Sequence, residues 1–292
     1  MTENDGVRID LTGKNVLVTG GSMGIGYAAA DACLAAGADA VISARTETTL
    51  REAHARLQAR YPHRRVAAVT ADAGVESDVE RLFSECARNG ALHGVVHAAG
   101  IYGPIGKITD VAPSQWLDAV RINLFGSFLV ARAACNAMRE SGGGRIVMLS
   151  GGGAATPLPN YTAYACAKIG VVRMVESVAQ EMAEYGIEIN ALAPGFVATR
   201  LHEETLKAGR ERSDAVYDST VQRLQRGAIP ASVAGRASAF LLGDAARGIT
   251  GKFVAAPYDG WSEWPKHLEE LDGGDLFTLR RILPIDRGLN WQ

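Results

Sequence analysis

The 292 residues carry 30 Lys and Arg against 32 Asp and Glu, a formal charge of −2, with 47% apolar and 21% charged side chains. That profile supplies a buried core and excludes disordered, collagen-like and disulfide-scaffold chains, and the length suits one large α/β domain. Balanced charge offers no basic field to a nucleic acid or a membrane surface, which leaves a small molecule as the expected partner.

Short β-branched runs alternate with longer Ala-rich amphipathic stretches, the pattern of right-handed βαβ units around a parallel sheet covered on both faces. Seven strands are predicted: Asn15–Thr19, Ala40–Ala44, Val66–Thr70, Gly94–His97, Arg145–Ser150, Glu188–Leu192 and Lys252–Ala255. Helices are predicted to start near Gly24, Glu47, Glu76, Pro113, Tyr161 and Pro230. The expected fold is therefore a three-layer, Rossmann-type, doubly wound α/β sheet of about seven parallel strands, filling residues 1–257, with an extension over 258–292.

The first strand runs into Thr19-Gly20-Gly21-Ser22-Met23-Gly24-Ile25-Gly26 and directly into a helix. Glycines let the backbone pass close under a pyrophosphate, and the free N–H groups of the helix start favour its charge. The spacing G-x-x-x-G-x-G differs from the general G-x-G-x-x-G fingerprint. Here the chain resembles the short-chain dehydrogenase/reductase family, and the resemblance extends over residues 10–256. It implies cofactor contacts from Gly20, Ser22, Met23, Gly24, Ile25 and Gly26.

At the end of the second strand, Ala44-Arg45 presents no acid for a ribose 2′-hydroxyl, while Arg45 offers a bidentate, charge-assisted partner to a 2′-phosphate. NADP(H) is the expected cofactor, with NAD(H) as the alternative if Arg45 is merely exposed. Asp72 follows the third strand and reads either as an adenine contact implied by the resemblance or as a helix N-cap. His97-Ala98-Ala99-Gly100 closes the fourth strand where the family writes N-N-A-G, so His97 is read as structural and Ala98, Ala99 and Gly100 as cofactor-lining. Pro194-Gly195 with Val197 and Thr199 matches the family's P-G-x-x-x-T, which implies a hold on the nicotinamide amide.

Tyr164-Ala165-Cys166-Ala167-Lys168 is the family's Y-x-x-x-K. Residues i and i+4 share a helix face, so the ammonium stands beside the phenol and stabilises the phenolate, which an unperturbed pKa near 10 disfavours at neutral pH. Tyr164 is the expected acid/base and Lys168 its neighbour, in contact with the cofactor ribose as well. Asn123 falls where the family's Asn kinks a helix and holds a relay water; an interhelical hydrogen bond is the competing reading.

The family's remaining catalytic residue is a serine thirteen positions before the tyrosine, and that offset lands on Gly151, with Ser150 one residue early. A one-residue shift on a strand turns a side chain to the opposite face. Three readings stay open: Ser150 acts through altered geometry, Thr156 replaces it, or Tyr164 works with water.

Residues 200–229 form an insertion with Arg200, His202, Lys207, Arg210, Arg212, Arg223 and Arg226, expected as a lid and read either as a solvated face or as a hold on a polar, sugar-like or anionic substrate. Tyr102, Pro104, Pro157 and Leu158 are expected to supply an apolar wall. The reading is an oxidoreductase interconverting a secondary alcohol and a ketone; the alternatives are an epimerase or dehydratase using transient oxidation, and a cofactor-binding sensor or partner subunit with little catalysis. The segments 116–138 and 163–184 are apolar along one face, consistent with a homodimer or homotetramer. Cys33, Cys86, Cys135 and Cys166 have no C-x-x-C spacing, so neither a metal nor a disulfide is expected and a cytoplasmic setting is. Met1–Asp10 lacks a basic-then-apolar pattern and no run reaches 18 apolar residues, so neither a signal peptide nor a membrane span is expected. The segment 261–292, rich in Trp, Phe and Arg, is expected to pack over its own pocket or a neighbouring subunit's.

Overall fold

A computed structural model describes residues 7–272 and 274–291; the expectation about the first residues, Met1–Gly6, lies outside them. Seven strands form one parallel sheet: β1 (Asn15–Thr19), β2 (Asp39–Ala44), β3 (Val66–Thr70), β4 (Gly94–His97), β5 (Gly144–Leu149), β6 (Ile187–Ala193) and β7 (Phe253–Ala255). Their order is β3-β2-β1-β4-β5-β6-β7, so the winding reverses between β1 and β4 and opens a crevice at the strands' carboxyl ends.

The period-2 alternation of the strands divides the core in two. Val16, Val18, Ile42, Val96, Val147 and Leu192 face one layer, built from α1 (Gly24–Ala35), α2 (Glu47–Arg60) and α9 (Ala231–Leu242). Leu17, Val41, Val95, Ile146, Met148 and Ile189 face the other, built from α3 (Glu76–Ala87), α5 (Gly126–Glu140) and α6 (Thr162–Glu181). Helix α4 (Pro113–Val120) runs into α5 through a π-helical turn over Arg121–Phe125, which is the kink expected at Asn123. The insertion holds two helices, α7 (Arg200–Ser213) and α8 (Ala215–Arg226). Among the described residues no helix is long and apolar enough to cross a membrane.

Beyond β7 the chain does not leave the domain. Trp261 is buried against Phe240 of α9, and α10 (Leu268–Asp272) follows, with the Lys252 ammonium donating to the Leu271 carbonyl. The chain then returns along the edge of β7: Phe253 N–H donates to the Phe277 carbonyl at 2.7 Å, and Leu279 is held through both backbone groups, its N–H by Glu176 and its carbonyl by Arg173, each at 2.6 Å. An edge strand left open invites pairing with another chain, and this return covers it. Among the described residues, none of 258–291 lines the crevice at the carboxyl ends of the strands.

Candidate active site

The Gly-rich turn is shaped by crowding. Gly20 has φ +70°, and a Cβ there would stand 2.7 Å from Ala99 N, while one on Gly26 would fall within 3.0 Å of the Gly20 carbonyl. Glycine at both positions lets β1, β4 and the start of α1 converge, leaving the first N–H groups of α1 unpaired within the helix and facing a crevice of about 510 Å³. Gly20, Ser22, Met23, Gly24, Ile25, Gly26, Arg45, Asp72, Ala98, Ala99, Gly100 and Thr199 all line it. Pro194, Gly195 and Val197 do not; Gly195 turns with φ +75° against Ile229 and Pro257, and Val197 is buried. A cradle of helix N–H groups with no side chain to block it fits a dinucleotide pyrophosphate.

At the adenosine end Arg45 Nη1 lies 3.8 Å from the Asp72 carboxylate. Asp72 does not cap α3, whose N-cap is Val75; its Oδ1 accepts the Gly74 N–H at 2.8 Å and closes a turn ahead of that helix. Thr46 and Thr49 also line the crevice beside Arg45. Sequence reasoning passed over them, although a T-x-x-T directly after the selecting residue places two hydroxyls at the same strand exit.

Tyr164 and Lys168 lie one turn apart on α6, both buried, with the ammonium 5.7 Å from the phenol ring centroid and donating to the Leu149 carbonyl at 2.9 Å. Burial pushes the Tyr164 phenol up to about 12 and pulls Lys168 down to about 8. At neutral pH the pair is a neutral phenol beside an ammonium. Asn123 staples the loop after β4: its amide donates to the Ile101 and Ala119 carbonyls at 2.8 and 2.9 Å, and its Oδ1 accepts the Ile101 N–H at 3.1 Å. Its own carbonyl, freed by the π turn, accepts the Ser127 hydroxyl at 2.7 Å.

Ser150 is placed elsewhere. It follows β5 on the face of Met148, and its Oγ donates to the Lys168 carbonyl at 3.2 Å. Gly151 is the residue against Tyr164: a Cβ on it would come within 3.0 Å of the phenol oxygen. Thr156 is exposed and donates to the Gly152 carbonyl at 3.2 Å. Among the described residues neither hydroxyl considered from the sequence makes a hydrogen bond to Tyr164; both donate elsewhere. His97 is inside the sheet, its Nδ1 2.7 Å from Thr19 Oγ1, its Nε2 without a partner among the described residues, and burial together with the Lys168 charge holds it down to about 3.

The lid closes over a cluster of rings. Tyr102 stands edge-on to Tyr164 and Tyr161, with centroids 4.9 and 5.1 Å apart, and Leu201, Ala208 and Val216 of the lid pack on them. Tyr161, fully buried, donates its hydroxyl to Thr205 of α7 at 2.9 Å. The Phe196 ring has His202 on one side at 4.2 Å and the Arg223 guanidinium 5.4 Å from its centroid. Residues 200–226 carry six Arg and Lys against five acids, and Arg200 and Arg210 pair with Glu204 and Asp218, so the lid is less basic than its cations alone indicate. Tyr161, Thr205 and Phe196 were not singled out in the sequence, because their meeting depends on the lid's docking.

Comparison with known proteins accords with this geometry. The family model for short chain dehydrogenase matches residues 14–209. The chain is 30% identical over 259 residues to the short chain dehydrogenase/reductase astE of Aspergillus oryzae, covering 87% of this chain and 97% of that one. It is 33% identical over 205 residues to NADPH-dependent aldehyde reductase 2, chloroplastic, of Arabidopsis thaliana, covering 65% and 75%. The crystal structure of levodione reductase superposes with a TM-score of 0.78 at 28% identity, over 87% of this chain and 98% of that one. The chain belongs to the short-chain dehydrogenase/reductase family, oxidoreductases that act on small molecules with a nicotinamide cofactor.

Proposed function

We propose that this protein is an NADP(H)-dependent oxidoreductase that interconverts a secondary alcohol and a ketone, with Tyr164 giving the proton in reduction and taking it in oxidation. The observation that carries the reading is the buried Tyr164–Lys168 pair beside a crevice that fits a dinucleotide. When bound, the nicotinamide supplies or accepts the hydride. The Lys168 ammonium lowers the cost of the phenolate, Asn123 fixes the loop between cofactor and substrate, and the lid excludes water so that these polar contacts strengthen.

Arg45 supports the NADP(H) preference: β2 ends without a carboxylate, and the guanidinium stands with the Thr46 and Thr49 residues at the crevice wall. Dissociation constants for NADPH and NADH test it. Arg45→Ala is expected to weaken NADPH by roughly 10-fold or more, the worth of a charge-assisted pair, and NADH less than twofold. Equal affinity of the wild type for both cofactors overturns the preference.

The substrate is read as a small polar ketone, sugar-like or anionic, with Arg223 and His202 at Phe196 as the polar side of its pocket and the tyrosine rings as the apolar side. Leu117, Phe125, Phe128 and Ile169 leave an exposed apolar face on the α4–α6 layer, which supports a homodimer or homotetramer. Gly151 favours a second reading, a cofactor-binding protein of low turnover. Nicotinamide absorbance with a panel of ketones separates the two, since binding without consumption favours the second.

A further inference from the structure

Carbonyl reduction develops an oxyanion at the atom that Tyr164 protonates, and preorganised donors aimed at that atom carry much of the catalysis. The hydroxyls on the elements around Tyr164 differ in whether they are already engaged. Ser150 donates to the Lys168 carbonyl, Thr156 to the Gly152 carbonyl and Tyr161 to Thr205, while Thr162 accepts the Trp116 indole N–H at 3.1 Å. Gly151 has nothing to offer.

Tyr102 differs from these in its contact with Tyr164. Its ring centroid lies 4.9 Å from that of Tyr164, and its hydroxyl makes no hydrogen bond among the described residues. The ring is also flanked by Tyr161 at 5.1 Å and by the His202 ring at 6.1 Å. Its backbone is anchored next door as well, since Asn123 staples the preceding Ile101 through both its N–H and its carbonyl.

We propose that Tyr102 is the second hydrogen-bond donor to the reacting oxygen, in a site where Ser150 and Thr156 already donate elsewhere. The assignment rests on the oxidoreductase reading above. The two phenols divide the work by environment. Tyr164 stands beside Lys168 and can lose its proton, whereas burial and the neighbouring Tyr164, Tyr161 and Glu204 raise the Tyr102 phenol, so it stays protonated and only donates. The proton that reaches the substrate comes from Tyr164, and Tyr102 ends the turnover as it began.

The test uses the full chain with NADPH and three probes, levodione, cyclohexanone and propanal, reading kcat and KM against pH for the wild type, Tyr102→Phe and Tyr164→Phe. Tyr102→Phe keeps the ring and is expected to lose roughly 100-fold in kcat, the effect of one oxyanion donor, with the Kd for NADPH unchanged and the pH profile unmoved. Tyr164→Phe is expected to abolish turnover. Incorporating 3-fluorotyrosine at position 102 keeps the shape and strengthens the donor, so it is expected to raise kcat about threefold. A Tyr102→Phe enzyme within twofold of wild type, or a fluorotyrosine enzyme with lower kcat, overturns the assignment and leaves the oxidoreductase reading standing. A wild type that binds NADPH and reduces none of the probes overturns that reading, and the role of Tyr102 with it.

Discussion

Gly151→Ser restores a hydroxyl at the family's usual offset, and simple analogy expects it to improve the enzyme. The structure predicts the reverse. Any Cβ at 151 would approach the Tyr164 oxygen to less than 3.0 Å, against 3.4 Å and above for ordinary contact, so the phenol must retreat. Because Tyr164, on α6, is buried against the Tyr102 ring, its oxygen has to move on the order of 1 Å, and misplacement of that size costs about 100-fold in turnover. Gly151→Ala isolates the steric part, and both variants are expected to lose turnover to a similar degree while NADPH affinity stays within twofold, since Gly151 does not line the cofactor crevice. The assay is NADPH consumption under saturating ketone, with cofactor Kd from nicotinamide fluorescence as the folding check. A Gly151→Ser enzyme as fast as wild type or faster would show that Tyr164 is not positioned by the missing side chain, and the argument from this contact would fail.

Three further outcomes follow from burial. With Lys168 held down to about 8, the ammonium is present below that pH and lost above it, so kcat/KM for ketone reduction is expected to fall above about pH 8; a profile flat to pH 10 contradicts this. His97 stays neutral in the folded protein down to about 3 while the unfolded chain takes up a proton near 6.5, so its contribution is intact above 6.5 and is lost as pH falls towards 3, roughly 2 kcal/mol by pH 5; urea midpoints at pH 7.5 and 5 for wild type and His97→Asn measure it, and equal slopes refute it. Truncation after Tyr258 removes the buried Trp261 and Trp264, each worth about 3–5 kcal/mol by the cost of aromatic truncation, and bares the edge of β7; a large fall in Tm and self-association on gel filtration are expected, and an unchanged Tm with unchanged kinetics would make the segment an appendage.

The sheet was legible because strands buried on both faces are written as short β-branched runs. The bounds of β1, β3 and β4 are those read from the sequence, and β5 differs by one residue at each end. The turn at Gly20–Gly26 and the kink at Asn123 were legible for a related reason, since each is a local conformation with a local signature. What resisted was non-local. Nothing near Tyr102 in the chain tells that its ring will meet residues 161, 164 and 202, and the course of the C-terminal segment depends on Leu279 finding Arg173 and Glu176 more than a hundred residues away. The expectation that this segment covers its own pocket or a neighbouring subunit's drew on its aromatic content, and of its tryptophans Trp261 packs against Phe240 of α9 and donates to the Ala256 carbonyl after β7.

The serine's displacement by one residue changes the lysine as well as the substrate side. At the exit of β5, Leu149 accepts the Lys168 ammonium through its carbonyl, and the next residue, Ser150, donates to the Lys168 carbonyl, so the lysine is gripped at both ends by two consecutive strand residues. A serine at 151 instead of 150 would face Tyr164 and leave that carbonyl unpaired by a side chain. The chain thus places its β5 hydroxyl behind the catalytic helix, where it orders Lys168, and leaves the front of the site to a glycine against which the Tyr164 phenol rests. A site built that way has its proton donor rigidly held and its oxyanion side unfilled from β5, which is the side that the loop after β4, carrying Tyr102, is placed to complete.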